Sequence, residues 1–299
     1  YGSKLYAFEH PSWKTFTPVV LKTVHRQKDR EFSGWLGMMR SGVIPDLDYI
    51  NERVGKRDPD STALVSTNAA AKEINDQEMA KVVGNPITFT GQISGNPDGL
   101  SSVVPRELSL RAGAKVIICA NDPKGEYVNG SQGKLVGKTQ SDGETYAIVR
   151  LDGPRGSGTG RTVYVATKTW ENVRHVPLVD DDTGEVESFE VSVIGTYDQM
   201  PLLPAWAITI HRSQGMTIDK LYVDPEGIFE SGQAYVALSR ATSIEGLSLG
   251  APLQPSHVKT APKVADYNRK IEGLPPIERP KGLMGLVQAQ RDRAPSYGF

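Results

Sequence analysis

The stretch that decides the fold runs from Ala205 to Thr217 and reads AWAITIHRSQGMT. An apolar run leads directly into hydroxyl, imidazole and guanidinium donors, which crowd within about one helical turn and stop at Gly215. Phosphates accept hydrogen bonds and carry negative charge, so these donors suit a phosphate-binding site. The alternative is a helix end whose polar side chains face water, and the rest of the chain decides between the two.

The composition indicates a globular protein of 299 residues, with one large domain or two modest ones. The formal net charge of -1 gives no general attraction to nucleic acid, so any anion site must be local. The one cysteine, Cys119, excludes an internal disulfide. No apolar run has the length of a membrane span and the first residues do not form a signal peptide. We therefore expect an intracellular protein with no membrane partner.

Strands and helices alternate on both sides of the opening stretch. Upstream, Asp29–Arg40 has the apolar spacing of a helix, and Ala63–Ser66 is a short apolar strand. Thr67 and Asn68 supply a cap for a second helix. Downstream, the predicted elements are a strand at Lys220–Asp224, a helix at Gln233–Ala241 and a strand at Gly246–Leu249. This alternation predicts an α/β fold with a parallel sheet.

Short β-type runs fill the segment between these parts. They are Ile87–Ile93, Lys115–Ala120, Gly133–Gly137, Tyr146–Leu151, Thr162–Ala166 and Phe189–Ile194. Regular short strands with Gly-rich turns predict a small antiparallel barrel. The acidic run Asp180–Gly184 fits a hairpin turn better than a calcium loop, because the later ligands of such a loop are out of place.

Three cationic centres stand out: Arg26, the cluster Thr209–Gln214, and Arg240. Arg26 stands just before a helix, where it is either a surface arginine or a side chain aimed across a cleft. Arg240 ends an apolar helix, where its charge is costly unless it is paired, solvated or in contact with another body. A salt bridge to Asp224 or Glu230 is the structural alternative for Arg240.

The chain has no complete site for nucleotide or metal. Gly130–Leu135 resembles a phosphate loop at a glance, but its spacing is wrong and it ends in leucine. One cysteine and five histidines supply no zinc ligand pairs, and we expect no bound metal of the chain's own. The chain thus has side chains that could reach a phosphate but lacks a complete site. This combination fits one half of an active site that is formed between two domains or proteins.

These residues resemble the motifs of the Pif family of superfamily 1 DNA helicases, which are relatives of RecD. Ala205–Thr217 looks like motif V, and Tyr235–Ser243 looks like motif VI. Val24–Gln27 is similar to the segment after motif III, and Leu64–Asn68 is similar to motif IV. Leu110–Gly137 resembles the entry into the family's inserted barrel, so the resemblance covers most of the chain in order.

The resemblance implies a fold and a domain layout. In this family two RecA-like domains of the P-loop NTPase type hold ATP between them, and the second carries a Src-homology-3-like β-barrel. Residues 1–112 and 199–272 would form the second motor domain, residues 113–198 the inserted barrel, and residues 273–299 a flexible tail. The first domain, with its phosphate-loop lysine and acidic metal ligands, is expected to be missing, so the chain would be part of a longer protein.

The resemblance also implies roles for single residues. Arg240 would be the arginine finger at the ATP γ-phosphate, Arg26 a second γ-phosphate contact, and Gln214 and Gly215 the nucleotide side of motif V. The phosphates of single-stranded DNA would be contacted by Thr67, Asn68, Thr209, His211, Arg212 and Ser213. ATP with Mg²⁺ would be held mostly by the missing domain.

The implied activity is 5′→3′ translocation on single-stranded DNA with unwinding at forks, by a monomer, in DNA repair, recombination, replication or telomere maintenance. The compartment would be the bacterial cytoplasm, or the nucleus or mitochondrion. Two alternatives stay open. The absent phosphate loop allows a non-catalytic nucleic-acid-binding or adaptor module derived from a helicase. A RecD-like subunit of a recombination complex is the other, although the sequence shows no nuclease-type carboxylate cluster.

Overall fold

The computed structural model describes residues 6–20, 24, 26–27, 29–96, 104–153, 160–179, 184 and 186–275. The predicted acidic turn at 180–183 and the predicted flexible tail from residue 276 onward lie outside the described residues. The chain divides into two compact units: the first is Tyr1–Arg57 with Tyr222–Phe299, and the second is Asp58–Leu221. These units do not coincide with the domains predicted from the sequence, and the predicted domain boundaries stay a prediction.

The α-helices are α1 (Arg30–Arg40), α2 (Asp48–Asn51), α3 (Asn68–Lys81), α4 (Gln233–Leu238) and α5 (Pro262–Glu272). The strands up to the end of the antiparallel region are β1 (Thr62–Val65), β2 (Pro86–Thr90), β3 (Gln92–Gly95), β4 (Glu107–Arg111), β5 (Lys115–Ile118), β6 (Gln132–Ser141), β7 (Glu144–Leu151), β8 (Thr162–Ala166), β9 (Lys168–Val179), β10 (Val186–Gln199) and β11 (Leu202–Pro204). The last three strands are β12 (Ala207–Thr209), β13 (Leu221–Val223) and β14 (Leu247–Leu249). Within the described ranges, no helix is long and apolar enough to cross a membrane.

In the first unit, the best-predicted element is α1. The Asp29 carboxylate accepts a hydrogen bond from the Glu31 amide at 2.8 Å and caps the helix, as predicted. The side chains that recur at helical spacing form one buried face; they are Phe32, Trp35, Leu36 and Met39. The helix ends at Arg40, and Gly42 follows with a φ of 78°. The apolar spacing therefore predicted both the helix and the face that it buries.

The first unit also contains the predicted second helix and strand. β13 and β14 are neighbours in one sheet, and Val54 forms a parallel bridge with Leu249. The helix predicted over Gln233–Ala241 is shorter, because α4 ends at Leu238 and the chain turns there. Arg240 thus lies in a turn after the helix, with its amide donating to the Ala237 carbonyl at 3.1 Å.

The α/β part of the second unit is built on a parallel strand pair. β1 pairs with β12 in the register Ala63 to Ala207 and Val65 to Thr209. α3 follows β1 after the predicted polar turn, and the Thr67 hydroxyl caps it by accepting from the Ala70 amide at 3.2 Å. The opening stretch is therefore not a helix end, since its apolar part forms the strand β12 and its polar part forms the turns after it.

The rest of the second unit is antiparallel, as the sequence predicts. The strand order β11-β5-β6-β7-β8 forms one sheet, and β3-β10-β9 forms another. Strand β9 was not predicted, because Lys168–Val179 mixes charged and apolar residues and contains Pro177. β3 pairs with only the Gly195–Asp198 end of β10, so the remaining rungs join β9 and β10 alone. The closed Src-homology-3-like barrel stays a prediction.

The strand predicted over Ile87–Ile93 is two strands, β2 and β3, which belong to different sheets. They meet at Gly91, where a Cβ atom would stand 2.8 Å from the ring of Tyr197. Tyr197 is fully buried, and its hydroxyl donates to the Val104 carbonyl at 2.9 Å. The chain can change sheets at this point because residue 91 has no side chain.

We expect Gly91→Ala to lower the free energy of unfolding by about 1–3 kcal/mol, because the added methyl group overpacks a buried ring. Urea unfolding of the purified chain measures this change. Gly137→Ala is the matched control, because a Cβ atom on Gly137 in β6 would meet nothing within 4 Å. Equal unfolding midpoints for the two variants would contradict the prediction.

Candidate functional site

Two arginines of the first unit meet at one residue, Ser239. The Arg26 guanidinium donates to the Ser239 carbonyl at 2.9 Å. The Arg240 guanidinium donates to the Ser239 hydroxyl at 2.9 Å and to the Val236 carbonyl at 2.9 Å. Residues separated by most of the chain are therefore gathered around one turn, as expected for two groups that act together.

Gln27 fixes this arrangement. Its side-chain amide is buried and donates to the carbonyls of Ser239 and Ala241, both at 2.9 Å. The segment that carries Arg26 is thereby tied to the turn that carries Arg240. The sequence interpretation did not assign Gln27 a role, and its only signal was its position next to Arg26.

The electrostatics of the pair favour a negatively charged ligand. The pKa of Arg240 is lowered to about 10, first by burial and second by the charge of Arg26, against an opposing effect of Tyr235. Burial also lowers the pKa of Arg26. Arg240 still carries its charge at neutral pH, since its pKa lies well above 7. Two nearby positive charges repel each other, and a bound phosphate group would relieve that repulsion.

A separate groove lies in the second unit, over the ends of the parallel strand pair. Its volume is about 350 Å³, and it is lined by Ser66, Asn68, Thr209, His211 and Arg212. Four of these were predicted to contact DNA, and Ser66 was missed although it directly follows β1. The carboxyl ends of parallel strands meet at one edge of a sheet, which is why residues so far apart in sequence share this groove.

The predicted DNA-binding residues differ in what their side chains do in the structure. His211 is exposed and Arg212 is half-buried, so both present side chains to the groove. Thr209 and Ser213 are buried and build the turn: the Thr209 hydroxyl accepts from the Arg212 amide at 3.3 Å, and the Ser213 hydroxyl donates to the Ile210 carbonyl at 2.7 Å. Direct DNA contact by Ser213 stays a prediction, and in this structure its hydroxyl faces the turn. Thr67 is exposed and caps α3.

Gln214 and Gly215 belong to the second unit, whereas Arg26 and Arg240 belong to the first. Gln214 is exposed, and Gly215 has a φ of 81°. Gly215 lines a cavity of about 650 Å³ within the second unit. Three lysines and three aspartates line that cavity, namely Lys115, Lys134, Lys220, Asp60, Asp152 and Asp219. This balance of charge differs from the net positive charge that a phosphate site needs.

No protein-family model matches the chain. The ATP-dependent DNA helicase Pif1 of Bdellovibrio bacteriovorus is 29% identical over 284 residues, which cover 91% of this chain and 59% of the relative. The structure of Bacteroides sp Pif1 in complex with ADP-AlF4 is 27% identical with a TM-score of 0.68, over 84% of this chain and 56% of that one. Bacteroides Pif1 bound to ssDNA is 28% identical with a TM-score of 0.55, over the same shares of each chain.

The parallel α/β core and these similarities point to one class of protein, the superfamily 1 helicases. Within that class the chain matches curated Pif1 helicases and the solved Pif1 structures from Bacteroides and Candida albicans. The family resemblance of the sequence motifs is thereby confirmed. The chain spans about half the length of the relatives it matches, 59% of the Bdellovibrio protein and 56% of the Bacteroides chain.

We expect Ser213→Ala to lower the free energy of unfolding by about 1 kcal/mol, because the Ile210 carbonyl loses a buried donor. Its effect on the affinity for single-stranded DNA should be much smaller than that of Arg212→Ala. Urea unfolding and fluorescence anisotropy with a labelled oligonucleotide measure the two quantities. Ser192→Ala, at an exposed position of β10, is the control. A loss of affinity without loss of stability would instead support direct contact.

Proposed function

We propose that this chain is the second motor domain of an ATP-dependent DNA helicase that moves 5′→3′ along single-stranded DNA. The observation that carries the proposal is the convergence of Arg26 and Arg240 on Ser239, with Gln27 holding both segments together. A stable arrangement of two guanidiniums beside one turn suits a polyanionic ligand such as the phosphates of ATP.

In this proposal Arg240 is the arginine finger and Arg26 the second contact to the γ-phosphate. Each would stabilise the negative charge that develops on the transferred phosphoryl group. The hydrogen bonds to Ser239 fix the guanidiniums before the nucleotide arrives, so little reorganisation is needed during the reaction. The Bacteroides Pif1 complex with ADP-AlF4 supports nucleotide binding in this family.

Mg²⁺ would be held mostly by the first motor domain. In the part of the chain that the structure describes, no three His, Cys, Asp or Glu side chains are grouped as metal ligands. In this proposal the chain's own contribution to the nucleotide is positive charge from Arg26 and Arg240, with Gln214 and Gly215 at the nucleotide side of motif V.

The groove of the second unit would hold the DNA backbone. Arg212 supplies charge and His211 a further donor, and Asn68 at the start of α3 lines the same groove. Bacteroides Pif1, which is similar to this chain, has been seen bound to ssDNA. ATP binding would draw the arginines toward the first motor domain, hydrolysis would release them, and alternating grips of the two domains would move the strand.

We expect Arg240→Ala to reduce DNA-stimulated ATP hydrolysis by about 10³-fold or more in a polypeptide that carries both motor domains. Binding of single-stranded DNA should be nearly unchanged, because Arg240 lies outside the groove lining. A coupled ATPase assay measures the rate, and Arg30→Ala at the exposed start of α1 is the control. An unchanged ATP hydrolysis rate in Arg240→Ala would contradict the arginine-finger role and favour a non-catalytic module.

We expect Arg212→Ala to weaken binding of single-stranded DNA by the 299-residue chain and to make that binding less dependent on salt. Losing one phosphate contact should reduce the slope of log affinity against log salt by about 0.7. Anisotropy titrations at several salt concentrations measure this slope. Arg174→Ala removes an equal charge from the exposed face of β9 and should leave the slope unchanged.

A further inference from the structure

The side chain of Asn75 forms two hydrogen bonds with the backbone of one residue in β12, Ala207. Its amide nitrogen donates to the Ala207 carbonyl at 2.7 Å, and its amide oxygen accepts from the Ala207 amide at 2.9 Å. A carboxamide that donates and accepts in this way reproduces one rung of a β-ladder. β12 is thereby held on one side by β1 and on the other by a side chain of α3.

This contact lies behind the groove of the second unit. Asn68, which lines the groove, is two turns or about 10.5 Å along α3 from Asn75. Ala207 begins β12, and the same strand leads into the turn that presents His211 and Arg212. One wall of the groove is the start of α3 with Asn68, and the other is the turn after β12 with His211 and Arg212. The Asn75–Ala207 contact therefore joins the two elements, α3 and β12, that carry these walls.

We propose that Asn75 is a positioning residue, which sets the spacing between the N-terminus of α3 and the turn that carries Arg212. The inference rests on the proposed role of the groove in binding DNA phosphates. Neighbouring phosphates of one strand are joined by a short covalent linkage, so contacts from two walls add only when the walls stay within the distance that this linkage spans. Asn75 would touch no DNA and would act through the residues on either side of it.

The chain contains a matched control for this contact. In the first unit, the Asn51 side-chain amide donates to the Leu253 carbonyl at 3.1 Å and accepts from the Leu253 amide at 2.7 Å. The chemistry is the same, and both asparagines are half-buried. Removal of either side chain should cost a similar amount of stability, while only Asn75 stands behind the groove.

The first experiment compares the 299-residue chain with its Asn75→Ala and Asn51→Ala variants, using anisotropy with a labelled oligothymidine. We expect Asn75→Ala to weaken binding about fivefold, the equivalent of one lost hydrogen bond, and Asn51→Ala to bind like the wild type. Urea unfolding checks that both variants are folded and similarly destabilised. Equal affinities for the two variants would overturn the positioning role.

Two further measurements separate positioning from a general loss of structure. In an Arg212→Ala background, Asn75→Ala should weaken binding by less than it does alone, because part of its effect passes through Arg212. Asn75→Asp keeps the size and the acceptor but loses the donor when ionised. When the carboxyl group is protonated at acid pH its hydroxyl can donate to the Ala207 carbonyl, so affinity relative to the wild type should recover, unlike that of Asn75→Ala.

The outcomes distinguish the two proposals. If the wild-type chain does not bind the oligothymidine, or Arg212→Ala binds as well as the wild type, the DNA role of the groove fails and the positioning role fails with it. If Arg212→Ala weakens binding and Asn75→Ala does not, only the positioning role fails. Full additivity of the double variant, with no recovery of Asn75→Asp at acid pH, would also overturn it.

Discussion

The second unit depends on one interaction, the parallel pairing of β1 with β12. Parallel strands need a crossover, and here everything from Ser66 to Trp206 serves as that crossover, including α3 and the whole antiparallel region. The pairing is only three rungs long, from Ala63 to Val65. It nevertheless brings the turn after β1 and the turn after β12 to the same edge of the sheet. The groove is lined by residues from both turns.

The first unit places two positively charged side chains, Arg26 and Arg240, beside one turn. Serine hydroxyl and carbonyl groups at Ser239 accept from both arginines, and Gln27 holds the same turn in place. Burial and mutual repulsion lower the pKa of Arg240, yet not far enough to discharge it at neutral pH. The arrangement thus holds two charged guanidiniums beside each other at neutral pH.

The sequence predicted features whose signal is local. The apolar spacing of α1, the Asp29 and Thr67 caps and the alternation of strands and helices all depend on residues close in sequence, and all are confirmed. Two features that depend on the folded structure were not predicted. Asn75 pairs with a backbone 132 residues away, and nothing near it in sequence marks that partner. The burial of Ser213 was equally invisible, because a hydroxyl next to a histidine and an arginine suggests an exposed contact.

The five-stranded sheet is entered and left at neighbouring points. β5, its first strand, pairs with β11, its last, in the register Val116 to Pro204. Entry and exit are therefore about 5 Å apart, the spacing of paired strands. Length changes within an insertion whose ends are already joined add little loop-closure entropy. Evolution could enlarge, trim or exchange this region among relatives while the pair β1–β12 kept its geometry.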